Sequence, residues 1–314
     1  SRAAVPAPWT DHLAARRTKR RTFGPADGLL GTSPWATGLF CQLAGEGAMW
    51  KQRRRWQTTA LAGGGGFLMA SMPLWLAASL AGTAVVAVWA VKCVRVGRSV
   101  DRYARYWAAP QGEPGGLLYV ALGDSAAQGV GASSPERGYV GLLADRMRAR
   151  TGMPVQIVNL SQSGATLHDL IRDQLPLLAK LRPDVVTVDI GGNDVLRYHP
   201  RRFGDDVCLL TGGLPQGAAV ADVPYFMHGR WERRAADATA VLAGCVRANN
   251  LRSVPLHDAE QSRGWKAMLT DYAADWFHPN DRGHRVWADA FWSELIDHPA
   301  LTDRVPTVAS RRAR

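Results

Sequence analysis

Five positions in this sequence carry the kinds of group that together perform acyl transfer. Ser125, in "YVALGDSAAQG", offers a hydroxyl; His278, in "ADWFHPNDRGH", an imidazole; and Asp275, three residues before it, a carboxylate. Gly164, in "SQSGAT", and Asn193, in "GGND", add a backbone N–H and a side-chain amide. The reaction needs a nucleophile, a base to take its proton, a carboxylate to orient that base, and donors for the oxyanion that develops. On this reading Ser125 attacks, His278 serves as base and then acid, and Asp275 orients it. The backbone N–H groups of Ser125 and Gly164 and the amide of Asn193 receive the oxyanion. A glycine suits position 164 because it lets the backbone approach the substrate oxygen closely. Taken singly, each motif is also an ordinary turn, Gly-Asp-Ser included.

What joins them is the element pattern. Short β-rich runs, "LLYVALGD" (117–124), "VQIVNLS" (155–161), "DVVTVDIGG" (184–192), "GAAVADVPY" (217–225) and "LRSVPLHD" (251–258), alternate with helical patterns around 138–151, 166–181, 232–249, 260–270 and 280–296. Each parallel crossover needs a return helix, so the alternation predicts an α/β protein: a parallel sheet of five strands in a three-layer α/β/α sandwich. The carboxyl ends of parallel strands share one edge, where open α/β sheets bind their ligands. Ser125, Gly164 and Asn193 follow the first three strands, and Asp275 and His278 precede the last helix.

Together these motifs resemble the GDSL, or SGNH, hydrolase family, whose signature residues are a serine, a glycine, an asparagine and a histidine in this order. The resemblance covers residues 117 to 296; Ala126 stands where the family name has leucine, at a position that makes no bonds in the chemistry. It implies a flavodoxin-like sheet and hydrolysis of esters or thioesters without a metal or other cofactor. An acyltransferase would use the same residues, and a non-catalytic binding module could share the fold. Tyr225, Phe226, Met227 and Trp231, in "VPYFMHGRW" beyond the fourth strand, either line an acyl pocket or pack against the sheet edge.

The formal charge is +11 over 314 residues, and its placement excludes a nucleic-acid partner. Up to Tyr106 there are 15 Lys/Arg against 4 Asp/Glu, and beyond it 23 of each, so the catalytic region is neutral. The excess brackets a stretch, Trp56 to Val91, without one charged side chain. A spanning helix needs about 20 predominantly apolar residues, and Phe67 to Val91 supplies them. The expected plan is a basic flexible arm (1–55), a single membrane span (56–94), a Pro/Gly-rich linker (95–116), the hydrolase domain (117–298) and a basic tail (299–314). Basic residues flank the span almost equally, so the positive-inside bias assigns no side.

Other polar residues receive structural roles. Asp194 is expected to cap the segment after it and Asp281 to start the last helix, with His284 on that helix's surface. His168, His199, His228 and His257 are read as packing or solvent-facing. Cys208 and Cys245 either bridge or sit as buried thiols, and no Cys-x-x-Cys pair suggests a metal.

Overall fold

The computed structural model describes residues 74–227 and 229–303. These residues divide into two compact units, one up to Gly97 and one from Arg98 onward. The elements in order are α1 (Leu74–Tyr106), β1 (Leu117–Gly123), α2 (Tyr139–Thr151), β2 (Val155–Asn159), α3 (Leu167–Asp173), α4 (Leu175–Leu178), β3 (Val185–Asp189) and α5 (Pro200–Gly213). There follow β4 (Ala219–Ala221), α6 (Gly229–Ala248), β5 (Arg252–Val254), α7 (Leu256–Gln261), α8 (Ala267–Thr270), α9 (Asp281–Leu295) and α10 (Pro299–Thr302).

All five strands are parallel, in the order β2-β1-β3-β4-β5. Strand alternation builds the three layers. Leu117, Tyr119 and Ala121 join Tyr139, Leu143 and Met147 of α2 and Trp287, Phe291 and Leu295 of α9 in one core. Val120 and Leu122 join Leu167 and Leu170 of α3, Val207 and Leu210 of α5 and Ala238 and Leu242 of α6 in the other. A sheet buried on both faces explains why its strands read as nearly unbroken apolar runs. Because β2 and β3 flank β1, the chain leaves β1 toward one side and later returns on the other. Such a reversal opens a crevice at the carboxyl ends of β1 and β3.

The structure corrects several expectations. Residues 95–116 are not a free linker: α1 continues to Tyr106, Tyr103 and Trp107 are buried, and Gln111 pairs with Ile157 through two backbone hydrogen bonds of 2.9 and 2.7 Å. The aromatic pair outweighs the Pro/Gly composition. Helix α5 was not anticipated, because Gly204, Gly212 and Gly213 disguise the apolar stripe of Phe203, Val207 and Leu210. The helix expected over 166–181 is two, parted at Gln174, with Pro176 in the first turn of α4. Strands β4 and β5 are shorter than their sequence runs. The expected tail begins with α10, which buries Leu301.

The expected arm, 1–55, and His228 lie outside the described residues, as do residues 56–73 of the span and 304–314 of the tail. Of the side chains of the predicted span, fewer than half are described, and among the described residues no helix is long and apolar enough to cross a membrane. The backbone of α1 is helical from Leu74 through Val91, and Val85, Val86, Val88 and Val91 are exposed along it.

Candidate active site

β1 ends at Gly123, whose backbone N–H and carbonyl pair with the side-chain amide of buried Gln174 at 2.9 and 2.8 Å. The chain then turns: the Asp124 carboxylate accepts the Ala126 N–H at 2.9 Å, and Ser125 is left at the sheet edge, 5% exposed. The turn is tied to the end of β2 and the loop after it: Asn159 donates to the Ala127 carbonyl at 2.7 Å and Gln128 donates to the Ser161 carbonyl at 2.9 Å. On its other side it meets the end of α1: Tyr103 donates to the Ala132 carbonyl at 2.6 Å and Trp107 to the Gln128 carbonyl at 3.0 Å.

His278 arrives from the loop before α9. A Cβ at Gly131 would come within 2.3 Å of the Pro279 carbonyl oxygen and 2.9 Å of the His278 Cβ, so the glycine allows the nucleophile loop to lie against the histidine. The result is a continuous chain: His278 Nε2 lies 2.9 Å from Ser125 Oγ, and His278 Nδ1 lies 2.6 Å from Asp275 Oδ2. Asp275 Oδ1 accepts the N–H groups of Phe277 and His278 at 3.2 and 3.1 Å. Burial pushes the Asp275 carboxyl up, but the His278 bond and charge and those two N–H donors outweigh it, leaving it below the usual carboxylate value. An ionised carboxylate here fixes the imidazole with Nε2 free to take a proton.

Gly164 follows β2 with φ of +77°, a conformation that favours glycine, and nothing lies within 4 Å of where a Cβ would stand. Asn193 follows β3, but its amide is not free: Nδ2 donates to Asp124 Oδ2 and to the Ala165 carbonyl, both at 3.0 Å. A donor role toward an oxyanion therefore requires Nδ2 to release or share one of these bonds. Asp194 does not cap the segment after it; it accepts the Leu167 N–H of α3 at 3.0 Å. Asp281 opens α9 as expected by position, yet Asn280 is the cap, and Asp281 instead takes Ser133 and Arg137.

Of the four aromatic and apolar residues after β4, Phe226 leads to the site: its ring centroid is 6.3 Å from Phe277, which stands edge-on to His278 at 5.0 Å. Tyr225 is engaged by His257 and Glu260, the Met227 carbonyl accepts the Tyr225 hydroxyl, and Trp231 carries the Arg230 and Arg234 guanidiniums over its ring at 4.3 and 5.3 Å. Trp276, which the sequence did not single out, sits between Asp275 and Phe277 with φ of +56° and remains 43% exposed. A tryptophan in that conformation costs of order 1–3 kcal/mol. His284 is not on the surface: it is fully buried, Nδ1 accepts the Tyr139 N–H, and Nε2 donates to the Val130 carbonyl. Burial, over the opposing Val130 bond, brings it down to about 4, so it is neutral. Among the described residues no cluster of His, Cys, Asp and Glu could hold a metal ion.

The edge is rich in buried carboxyls. Burial pushes Asp124 and Asp222 up to about 6, and Asp194 and Glu260 up to about 7. Each holds its proton more tightly folded than unfolded, so between about pH 5 and pH 7 the folded protein carries the extra protons and stability falls as pH rises. Buried Asp189, raised well above the usual carboxylate value by burial, acts in the same sense, and His284 and His298, both lowered by burial, act in the opposite one, two groups against five. The melting temperature is expected to fall across this window in scanning calorimetry, less steeply in Asp194→Asn. A melting temperature that climbs from pH 5 to pH 7 contradicts this balance.

A serine at the carboxyl edge of a doubly wound sheet, bonded to an imidazole that a carboxylate holds, defines a serine hydrolase. The chain belongs to the GDSL-like lipase/acylhydrolase family, whose sequence model matches residues 121–286. It is 36% identical over 162 residues to the esterase TesA of Pseudomonas aeruginosa, covering 51% of this chain and 78% of that protein. Among solved structures it is similar to LAE5, an alpha/beta hydrolase enzyme from the metagenome of Lake Arreo, with 24% identity, 57% of this chain and 94% of that chain covered, and a TM-score of 0.48. It is also similar to Axe2, an acetylxylan esterase from Geobacillus stearothermophilus, with 23% identity, the same coverages and a TM-score of 0.46.

Proposed function

We propose that the protein is a membrane-anchored esterase that hydrolyses carboxylic esters of lipid, lysophospholipid or acylated-sugar type through an acyl-enzyme on Ser125. The observation that carries this reading is the Asp275–His278–Ser125 chain of hydrogen bonds. Ser125 Oγ attacks the ester carbonyl carbon while its proton passes to His278 Nε2, and Asp275 stabilises the imidazolium. The oxyanion is received by the N–H groups of Ser125 and Gly164 and by Asn193. On collapse the C–O bond to the alcohol breaks and His278 returns the proton to the leaving oxygen. Water, deprotonated by His278, then releases the acid and restores Ser125. Phe226, Phe277 and exposed Trp276 favour an apolar acyl chain beside His278. Tyr225, Met227 and Trp231 act as the support of that wall.

The anchor rests on the uncharged run that ends at Val91 and on the exposed valines of α1, which water does not favour as a row. The full chain is expected to stay with membranes through alkaline carbonate extraction. A fragment beginning at Arg98, which keeps Tyr103 and Trp107, is expected in the supernatant. Release of the full chain contradicts the anchor. For the chemistry, a panel of aryl, short-chain and lysophospholipid esters assayed with the full chain in detergent is expected to show turnover rising with acyl length. Equal turnover of all acyl lengths contradicts the apolar wall.

A further inference from the structure

Helices α5 and α6 lie side by side over the core, joined through Val207, Leu210, Ala238 and Leu242. On this helix pair, outside the catalytic edge, Cys208 of α5 faces Cys245 of α6 with their Sγ atoms 3.2 Å apart. Cys208 is exposed and Cys245 half-buried, and both are thiols here. A disulfide has its sulfurs about 2.0 Å apart, so closing the bond asks for about 1 Å of further approach by two side chains already in contact. Neither residue takes part in the chemistry at Ser125.

We propose that Cys208 and Cys245 are a disulfide site that fastens α5 to α6 when the protein meets an oxidised thiol carrier. The exposed Cys208 begins the exchange: its thiolate attacks one sulfur of the carrier R–S–S–R, the carrier's S–S bond breaks, and one thiolate leaves. Cys245 then loses its proton and attacks the Cys208 sulfur of the mixed disulfide, expelling the second carrier thiol. The two cysteines lose two electrons and two protons, and R–S–S–R gains them as two R–SH. Burial, together with the neighbouring Cys208 thiol, pushes Cys245 up to about 11. Both steps need a thiolate and quicken as pH rises, and closure by Cys245 goes on quickening up to that high value. The bond would close a loop spanning a separation of 37 residues, a length at which cross-linking restricts the unfolded chain appreciably.

The test uses the full chain in detergent, held reduced or equilibrated with oxidised glutathione, then denatured, alkylated with iodoacetamide and digested. The oxidised sample is expected to yield one cross-linked species joining the peptides of Cys208 and Cys245. Its melting temperature should rise by about 10 °C over the reduced protein, with hydrolysis of an aryl ester unchanged. Cys208→Ser and Cys245→Ser should each melt with the reduced parent and lose the rise on oxidation. Alkylation of both thiols after oxidation overturns the proposal, as does pairing of either cysteine with Cys41 or Cys93. The peptide measurement on the unaltered chain decides the matter even if a serine variant folds poorly.

Discussion

Ser125→Ala is expected to abolish covalent labelling by a fluorophosphonate and to cut ester turnover by about three or more orders of magnitude, with the fold retained. The reagent reacts with a serine only where a base and oxyanion donors are already arranged around it. Loss of the hydroxyl removes one bond to His278 Nε2 and leaves the imidazole held by Asp275 at 2.6 Å, so the melting temperature should change little. His278→Ala is expected to cost nearly as much activity. The double variant should lose little more than either single one, because groups that act in one proton transfer are strongly non-additive. Turnover is measured on a chromogenic ester and labelling by in-gel fluorescence. A folded Ser125→Ala protein with parental turnover would sink the mechanism.

Asn193→Ala is expected to lower turnover by about 10²- to 10³-fold while leaving labelling of Ser125 detectable and slowed. Unlike the serine, this residue also holds structure, since its amide binds Asp124 and the Ala165 carbonyl. Stripping those acceptors in a buried setting should cost about 1–3 kcal/mol, read as a lower denaturation midpoint. The two roles separate kinetically: a lost oxyanion donor depresses kcat and kcat/KM together. If the midpoint falls and kcat does not, Asn193 only braces the loop.

The sheet was legible because its central strands are buried on both faces, and their mostly apolar runs give way to polar residues at the edge. For the same reason Ser125, Asn193 and the Asp275–His278 pair could be read together. Pairings across the fold left no local mark: nothing near Asp194 announces a partner 27 residues earlier at Leu167, and Gln174 gives no hint that it clasps Gly123. His284 was legible and misread. With Trp287, Ala288, Phe291 and Leu295 it falls at helical spacing on the buried face of α9. Tyr103 and Trp107 were hidden by the prolines and glycines that follow them.

The loop after β2 and the loop after β3 are fastened to each other twice, by Asn193 to the Ala165 carbonyl and by Asp194 to the Leu167 N–H. Two stretches of chain far apart in sequence are therefore one piece mechanically, the second gripping the first by its main chain. Exchanging residues 163–167 with those of a relative would keep both fastenings, because Ala165 and Leu167 contribute only main-chain groups, whereas replacing Asn193 or Asp194 releases one of them. Chimaeras between this enzyme and its kin should therefore accept a foreign loop after β2 so long as Asn193 and Asp194 stay, the second loop acting as the mould and the first as the casting.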